Sequence, residues 1–256
     1  MNWLDNLPSG PITKLLNPIA DNLGQGVGAV FYYIFQKPIK FKAIHEAEVQ
    51  DLAKKTASNL QKIPTGHRNA SNRGLLLKTM EEARYQISEE ELRTMFASLI
   101  ASATDDRKAS LVSPRFPIIL SQLSKRDAQF FNFLAHQYRY AIPYVYVIEQ
   151  KKNSRSPRSH YSSPYHNLSS RLYVFKNKIY KLPDITIDNL ISLGLVTSNN
   201  NQILADKYSK QKYLFIKKNA LHYLNRPISK NNYEISYGWG NVRLTALGKQ
   251  FAKCVF

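Results

Sequence analysis

His45 and Glu46 open the His-Glu-x-x-His pattern in which two histidines one helical turn apart share a zinc ion and the glutamate acts as base. Position 49 is Val, so the second ligand is missing. Arg155 and His160 stand at the Arg-x4-His spacing of certain helical ribonucleases, where both side chains must aim at one phosphate. Here they lie in "KKNSRSPRSHYSSPYHNLS", a Ser/Pro/basic stretch that reads as an exposed loop. Asp105, Asp106 and Lys108 echo a nuclease carboxylate–lysine site, but no further acid in strand context supports it, and a solvated helix terminus is the simpler reading. Cys254 is the single cysteine, which excludes a disulfide framework and a multi-cysteine zinc site. It has no His partner and reads as a packed thiol. His67, His136, His166 and His222 are dispersed. The expectation is a protein without catalytic residues, metal ligands or cofactor: not an enzyme, and with no small-molecule substrate.

Charge is the stronger signal. The chain of 256 residues carries a formal net charge of +18. Residues 1–150 hold 18 Lys+Arg against 14 Asp+Glu, whereas residues 151–256 hold 18 against 4. So basic a half suits a polyanionic partner, either nucleic acid or an anionic membrane surface. Lysine is also a well-solvated surface residue and the same half is rich in Asn and Tyr, so compositional drift is the competing reading. The start, MNWLDNLPSG, lacks the charged, apolar and small-residue regions of a signal peptide. A cytoplasmic protein is expected, or one peripheral at the inner face of the membrane.

Three glycines alternate in "NLGQGVGAVFYYIF". A dinucleotide loop needs a preceding strand and Gly-x-Gly-x-x-Gly, and neither is present. The uncharged run from Asn22 to Gln36 would be a helix of roughly 22 Å at about 1.5 Å per residue. That is too short to span a bilayer core of about 30 Å and suits an interfacial or packed helix. On it Gly24 and Gly28 share a face, and with Phe31 and Phe35 they are the candidate helix–helix or lipid contacts.

The elements that must position these residues follow from periodicity. Residues 12–36 and 41–63 read as two helices, the second with a thin stripe of Ile44, Val49, Leu52 and Leu60. "SEEE" (88–91) reads as a capping box led by Ser88, before a helix that buries Leu92, Met95, Phe96, Leu99 and Ile100. "SPRFPIILSQL" and "SKRDAQFFNFLAHQY" give two more helices, the latter capped by Ser124. "AIPYVYVIEQ" is extended. "PDITIDNLISLGLVTS" is a helix stopped by Gly194 and then a strand. "KYLFIKK" reads as a strand, "YEISYGWGNVRLT" as a hairpin turning at Gly238-Trp239-Gly240, and "ALGKQFAKCVF" as a helix capped by Thr245. The fold class is therefore α+β, mainly α. An N-terminal helical region (1–65, for assembly or membrane proximity) precedes a helical core (66–123) and a basic, winged-helix-like C-terminal domain (124–256) with a small β-hairpin and an exposed loop at 151–169.

In a winged helix that bound DNA, Lys178, Lys181, Lys207, Lys210 and Lys212 would contact phosphates and Arg243 would sit on the wing. The presumed recognition helix carries Asp184 and Asp188 and no Lys or Arg before Gly194, which opposes base readout.

"EEELRTMFASLIASATD", "SPRFPIILSQLSKRDAQFF", "NLISLGLV" and "VRLTALGKQFAKC" occur in this order between residues 70 and 256. Together they resemble the Abi-alpha family of bacterial proteins, named for abortive phage infection. The resemblance implies a role in phage defence and carries over no catalytic residue. The expected function is a non-enzymatic anti-phage protein acting through a protein partner, self-association or a membrane. A winged-helix DNA-binding regulator and a membrane-active effector using residues 12–36 are the alternatives.

Overall fold

The computed structural model describes residues 31, 34–35, 39–69, 72–137, 140–151, 165–228 and 233–256. Gly24, Gly28, Arg155 and His160 lie outside them. The fold is α+β, mainly helical, with an antiparallel sheet, and it divides into two compact units. The first comprises the described residues up to Asn132 together with Lys249–Phe256, and the second is Phe133–Gly248.

The first unit is helical. Helix α1 (Ile39–Gln61) kinks at His45, whose backbone leaves the helical region. It buries Val49, Leu52 and Leu60 of the stripe read from the sequence, and Thr56 beside them. Helix α2 (Arg73–Tyr85) starts at Asn72, whose side chain accepts from the Leu75 amide. Helix α3 (Glu90–Thr104) is the central member, packed on α1 and α2 and buried around most of its circumference. Its start corrects the expected capping box: the cap position is Glu89, without a side-chain cap bond, and Ser88 stays one residue upstream. A carboxylate triplet beside the helix dipole already favours this end, so the hydroxyl is not required there.

The one-turn helix α4 (Asp106–Ala109), α5 (Phe116–Ser121) and α6 (Lys125–Ala135) follow. Ser124 caps α6 as expected, and reciprocally: the Asp127 amide donates to Ser124 Oγ at 3.2 Å and the Ser124 amide to Asp127 Oδ2 at 3.1 Å. Phe116, Phe131 and Phe251 form an aromatic core with centroids 5.1 and 5.4 Å apart around Phe251.

The second unit is built on a sheet of six strands: β1 (Ala141–Lys151), β2 (Tyr165–Asn167), β3 (Leu172–Phe175), β4 (Lys178–Lys181), β5 (Val196–Asn200) and β6 (Tyr233–Leu244). The path runs β4-β3-β1-β6-β5, all antiparallel, with β2 also on β1. Helices α7 (Asp184–Ser192) and α8 (Lys207–Asn219) belong to this unit. The apolar face of α8, Tyr213 and Ile216, lies on Val145 and Val147 of β1 and on Leu172 and Val174 of β3.

Two expectations are corrected here. The stretch at Gly238-Trp239-Gly240 is no turn: β6 runs unbroken from Tyr233 to Leu244 along β1. In that register Tyr146 faces Gly238 and Tyr144 faces Gly240, and each ring lies across its glycine. A Cβ on Gly238 would stand 2.0 Å from the Tyr146 ring, so the glycines clear a trough for two tyrosines. The true tight hairpin is β3–β4, turning at Lys176-Asn177. The stretch "KYLFIKK" is helical, inside α8, because Asp206 caps it (Ser209 amide to Oδ1, 2.9 Å) and Tyr213, Ile216 and Ala220 recur at helical steps.

The end of α7 matches its expectation. Gly194 takes φ +75°, its amide donates to Ile191 O and the Leu195 amide reaches back to Leu190 O, a Schellman stop. Thr245 then fastens this corner. Its hydroxyl donates to Gly194 O at 2.7 Å and accepts from the Gly248 amide at 2.8 Å, capping α9 (Ala246–Val255).

Candidate functional site

The turn joining β3 and β4 holds two residues, Lys176 and Asn177, both at positive φ (45° and 59°), the backbone of a type I′ hairpin. Asparagine enters this region readily, but lysine does so at a cost of about 1–2 kcal/mol. The turn therefore presents a strained, exposed ammonium group at its tip. Beside it, helix geometry brings Tyr208, Lys212, Phe215 and Asn219 of α8 onto one face, at steps of four, three and four.

Two clefts open between these elements. One, of about 580 Å³, lies between the turn and α8 and is lined by Lys176, Asn177, Tyr208, Gln211, Lys212 and Phe215, with His136 at its edge. The other, of about 440 Å³, is lined by Lys178, Tyr180, Phe215, Asn219 and His222. Asn177 and Phe215 belong to both, so the two are one continuous surface. No carboxylate of the described residues lines either cleft. Among the described residues Lys176, Lys178 and Lys212 make no ion pair; Lys212 instead lies over the Tyr208 ring at 4.3 Å and Lys176 over Phe175 at 5.4 Å. The residues Tyr180, Tyr208 and Phe215 are 41%, 51% and 42% exposed. On the face of the hairpin away from α8, Phe133 packs edge-on against Phe175, and burial with Tyr180 beside it pushes the Tyr173 phenol up. The arrangement is cationic, flat-sided and aromatic, fit for a ligand that combines negative charge with planar groups.

The lysines singled out from the sequence divide. Lys212 lines the first cleft and Lys178 the second, on the surface that Asn177 and Phe215 join. Lys207 and Lys210 share α8 but line neither cleft, Lys181 donates to Asn225 Oδ1 at 2.7 Å, and Arg243 lies on β6 between Ala141 and Thr197. Lys176 and the three exposed rings were not anticipated. The signal was present in the repeated basic–aromatic alternation of "FKNKIYK" and in the i, i+4, i+7 spacing of Tyr208, Lys212 and Phe215.

Other charged and reactive groups are committed to structure. Arg171 donates to Asp184 (Nε to Oδ1, 2.8 Å) and to Ser198 Oγ (3.1 Å) and stacks on the ring of Tyr144, whose hydroxyl bonds Asn200. Asp105 is buried rather than solvated, and the bidentate Arg107 guanidinium (2.8 and 2.7 Å) holds its carboxyl below the usual carboxylate range. His67 Nδ1 lies 2.9 Å from Asp106 Oδ1, both on the surface. Burial pushes the Cys254 thiol up to about 11. Phe31 and Phe35 are buried, their rings 4.6 Å apart. Among the described residues no group of three His, Cys, Asp or Glu could hold a metal ion, and no described helix is long and apolar enough to cross a membrane.

No curated protein and no solved structure matches the chain. The model of the family described as abortive infection alpha matches residues 44–255, through both compact units. The chain belongs to the abortive infection alpha family.

Proposed function

We propose that this protein serves in abortive infection as a phage-defence protein that acts by binding rather than by catalysis, and that its second unit engages a polyanion. One observation carries the reading. Among the described residues, three lysines without ion pairs line clefts to which no carboxylate contributes. An uncompensated cluster of this kind repels itself in the free protein and is relieved by an anionic partner.

The winged-helix reading draws support from the order β1-β6-β5, which is the order of a winged-helix sheet. It is weakened by α8, inserted between the two wing strands, and by α7, whose Asp184 is paired with Arg171. Docking of a duplex through α7 is therefore the lesser alternative. For the N-terminal region, burial of Phe31 and Phe35 favours assembly by packing over insertion into lipid.

The test is a phage panel plated on cells expressing the wild type or the Lys176→Glu/Lys212→Glu variant. Reduced plating or early host death with at least one phage, lost in the variant, is expected. Unchanged plating and survival across a broad panel would overturn the proposal.

A further inference from the structure

The lysines account for attraction to any polyanion, but they do not account for the rings. Tyr208 and Phe215 of α8 are each about half exposed beside these lysines, whereas Tyr180 shares the other face of the hairpin with Tyr173 and Phe175. Exposed rings interleaved with cations are the two components of a single-strand binding groove, stacking platforms and a charged track for the backbone. The polar remainder of the surface fits the same ligand. Asn177 and Gln211 line the clefts with amide donors and acceptors for base edges, and Asn219, whose Nδ2 donates to Phe215 O at 2.8 Å, adds its Oδ1 as an acceptor.

We infer that the continuous surface between the Lys176-Asn177 turn and α8 binds single-stranded nucleic acid, with unpaired bases stacked on Phe215 and Tyr208 and phosphates held by Lys176, Lys178 and Lys212. This deepens the polyanion reading above and rests on it. In a duplex the base faces are covered by their neighbours, so the rings would have no partner. A bilayer is flat, whereas these lysines flank concave clefts of 580 and 440 Å³. An unpaired strand supplies charge and planar faces together. Two adjacent clefts sharing Phe215 suit two successive nucleotides, one on each side of that ring.

The experiment uses the full chain and fluorescence anisotropy with labelled 12-nucleotide oligo(dT), oligo(U) and a mixed-sequence duplex of equal length, alongside flotation with vesicles containing 30% phosphatidylglycerol. Single strands are expected to bind more tightly than the duplex. The affinity should fall with salt at a logarithmic slope of about −2, as three neutralised phosphates require at about −0.7 each. Preference between the DNA and RNA strands identifies which single strand is the ligand. Phe215→Leu and Tyr208→Leu should each weaken single-strand binding by roughly 5- to 100-fold, as expected for one lost base stack. Phe215→Trp should keep the affinity, and its new fluorescence should be quenched by the oligonucleotide, which a merely structural ring would not show. If the lysine variants weaken binding while the leucine variants do not, or if duplex or vesicles bind as well as single strands, the stacking inference is overturned and the polyanion reading survives. If no polyanion binds at 20 mM salt, both fall.

Discussion

Gly248 and Gly74 show how much a single hydrogen atom can decide. Gly248 lies in the first turn of α9, and a Cβ there would stand 2.0 Å from the backbone oxygen of Leu195. Backbone cannot swing aside as a side-chain tip can, so Gly248→Ala is expected to destabilise the second unit by roughly 2–3 kcal/mol. Gly74, in the first turn of α2, faces open space, and Gly74→Ala should stabilise by about 0.5–1 kcal/mol through the unfolded chain. Urea titrations of both variants test the pair, and equal effects would contradict it.

At Asp105 the sign follows from its lowered carboxyl pKa. The Arg107 contacts contribute stability above the unfolded carboxylate value of about 4 and lose it as pH falls through the folded value. Arg107→Ala should therefore unfold at a higher pH than wild type, with the stability difference greatest above about pH 4 and vanishing at lower pH. Acid titration followed by circular dichroism measures it. None of this was legible in the sequence, where "TDDRKAS" reads as a solvated terminus. Burial of Asp105 depends on how distant segments meet.

Among the elements, the β3–β4 hairpin has the most to reveal. Its Lys176-Asn177 turn keeps a lysine in the left-handed region, where Asn-Gly would suit the type I′ backbone better. The double replacement Lys176→Asn/Asn177→Gly should stabilise the protein by about 1 kcal/mol in thermal or urea unfolding while weakening polyanion binding. A binding surface retained at the expense of local stability predicts this opposition. Loss of both, or gain of both, would mean that the turn is structural only.

Element by element, helices α1, α3, α5 and α6 and the stop at Gly194 were readable, because apolar steps of three and four and local caps act within one turn of chain, whereas α2 was not anticipated. Helix α8 and strand β6 were misread for one reason: short apolar stretches carry both periods. In "KYLFIKK" the deciding feature is the Asp206 cap upstream. In "YGWG" it is Tyr144 and Tyr146, about a hundred residues away in sequence.

For the molecule as a whole, a net charge of +18 implies self-repulsion in the folded state. Raising salt from 20 to 300 mM should screen it and raise the thermal midpoint, opposite in direction to the effect of salt on polyanion binding. A midpoint that falls with salt would show that the exposed ion pairs, such as Lys125 with Glu89 and Glu91, outweigh the repulsion.

What the sequence determined by itself is local and additive. It set the net charge and its concentration in the second half, several helix positions with the Ser124 and Thr245 caps, the ordered phrases of the family, and the missing second histidine of the His-Glu-x-x-His pattern. The tertiary structure decided which lysines stand together, and it left Lys207, Lys210, Lys181 and Arg243 away from the surface that Lys176, Lys178 and Lys212 share. It also left Tyr208 and Phe215 of α8 exposed beside them. Sequence spacing places side chains relative to their own helix or strand. Only the sheet register and the docking of α8 on β1 and β3 place one element's charges beside another's rings.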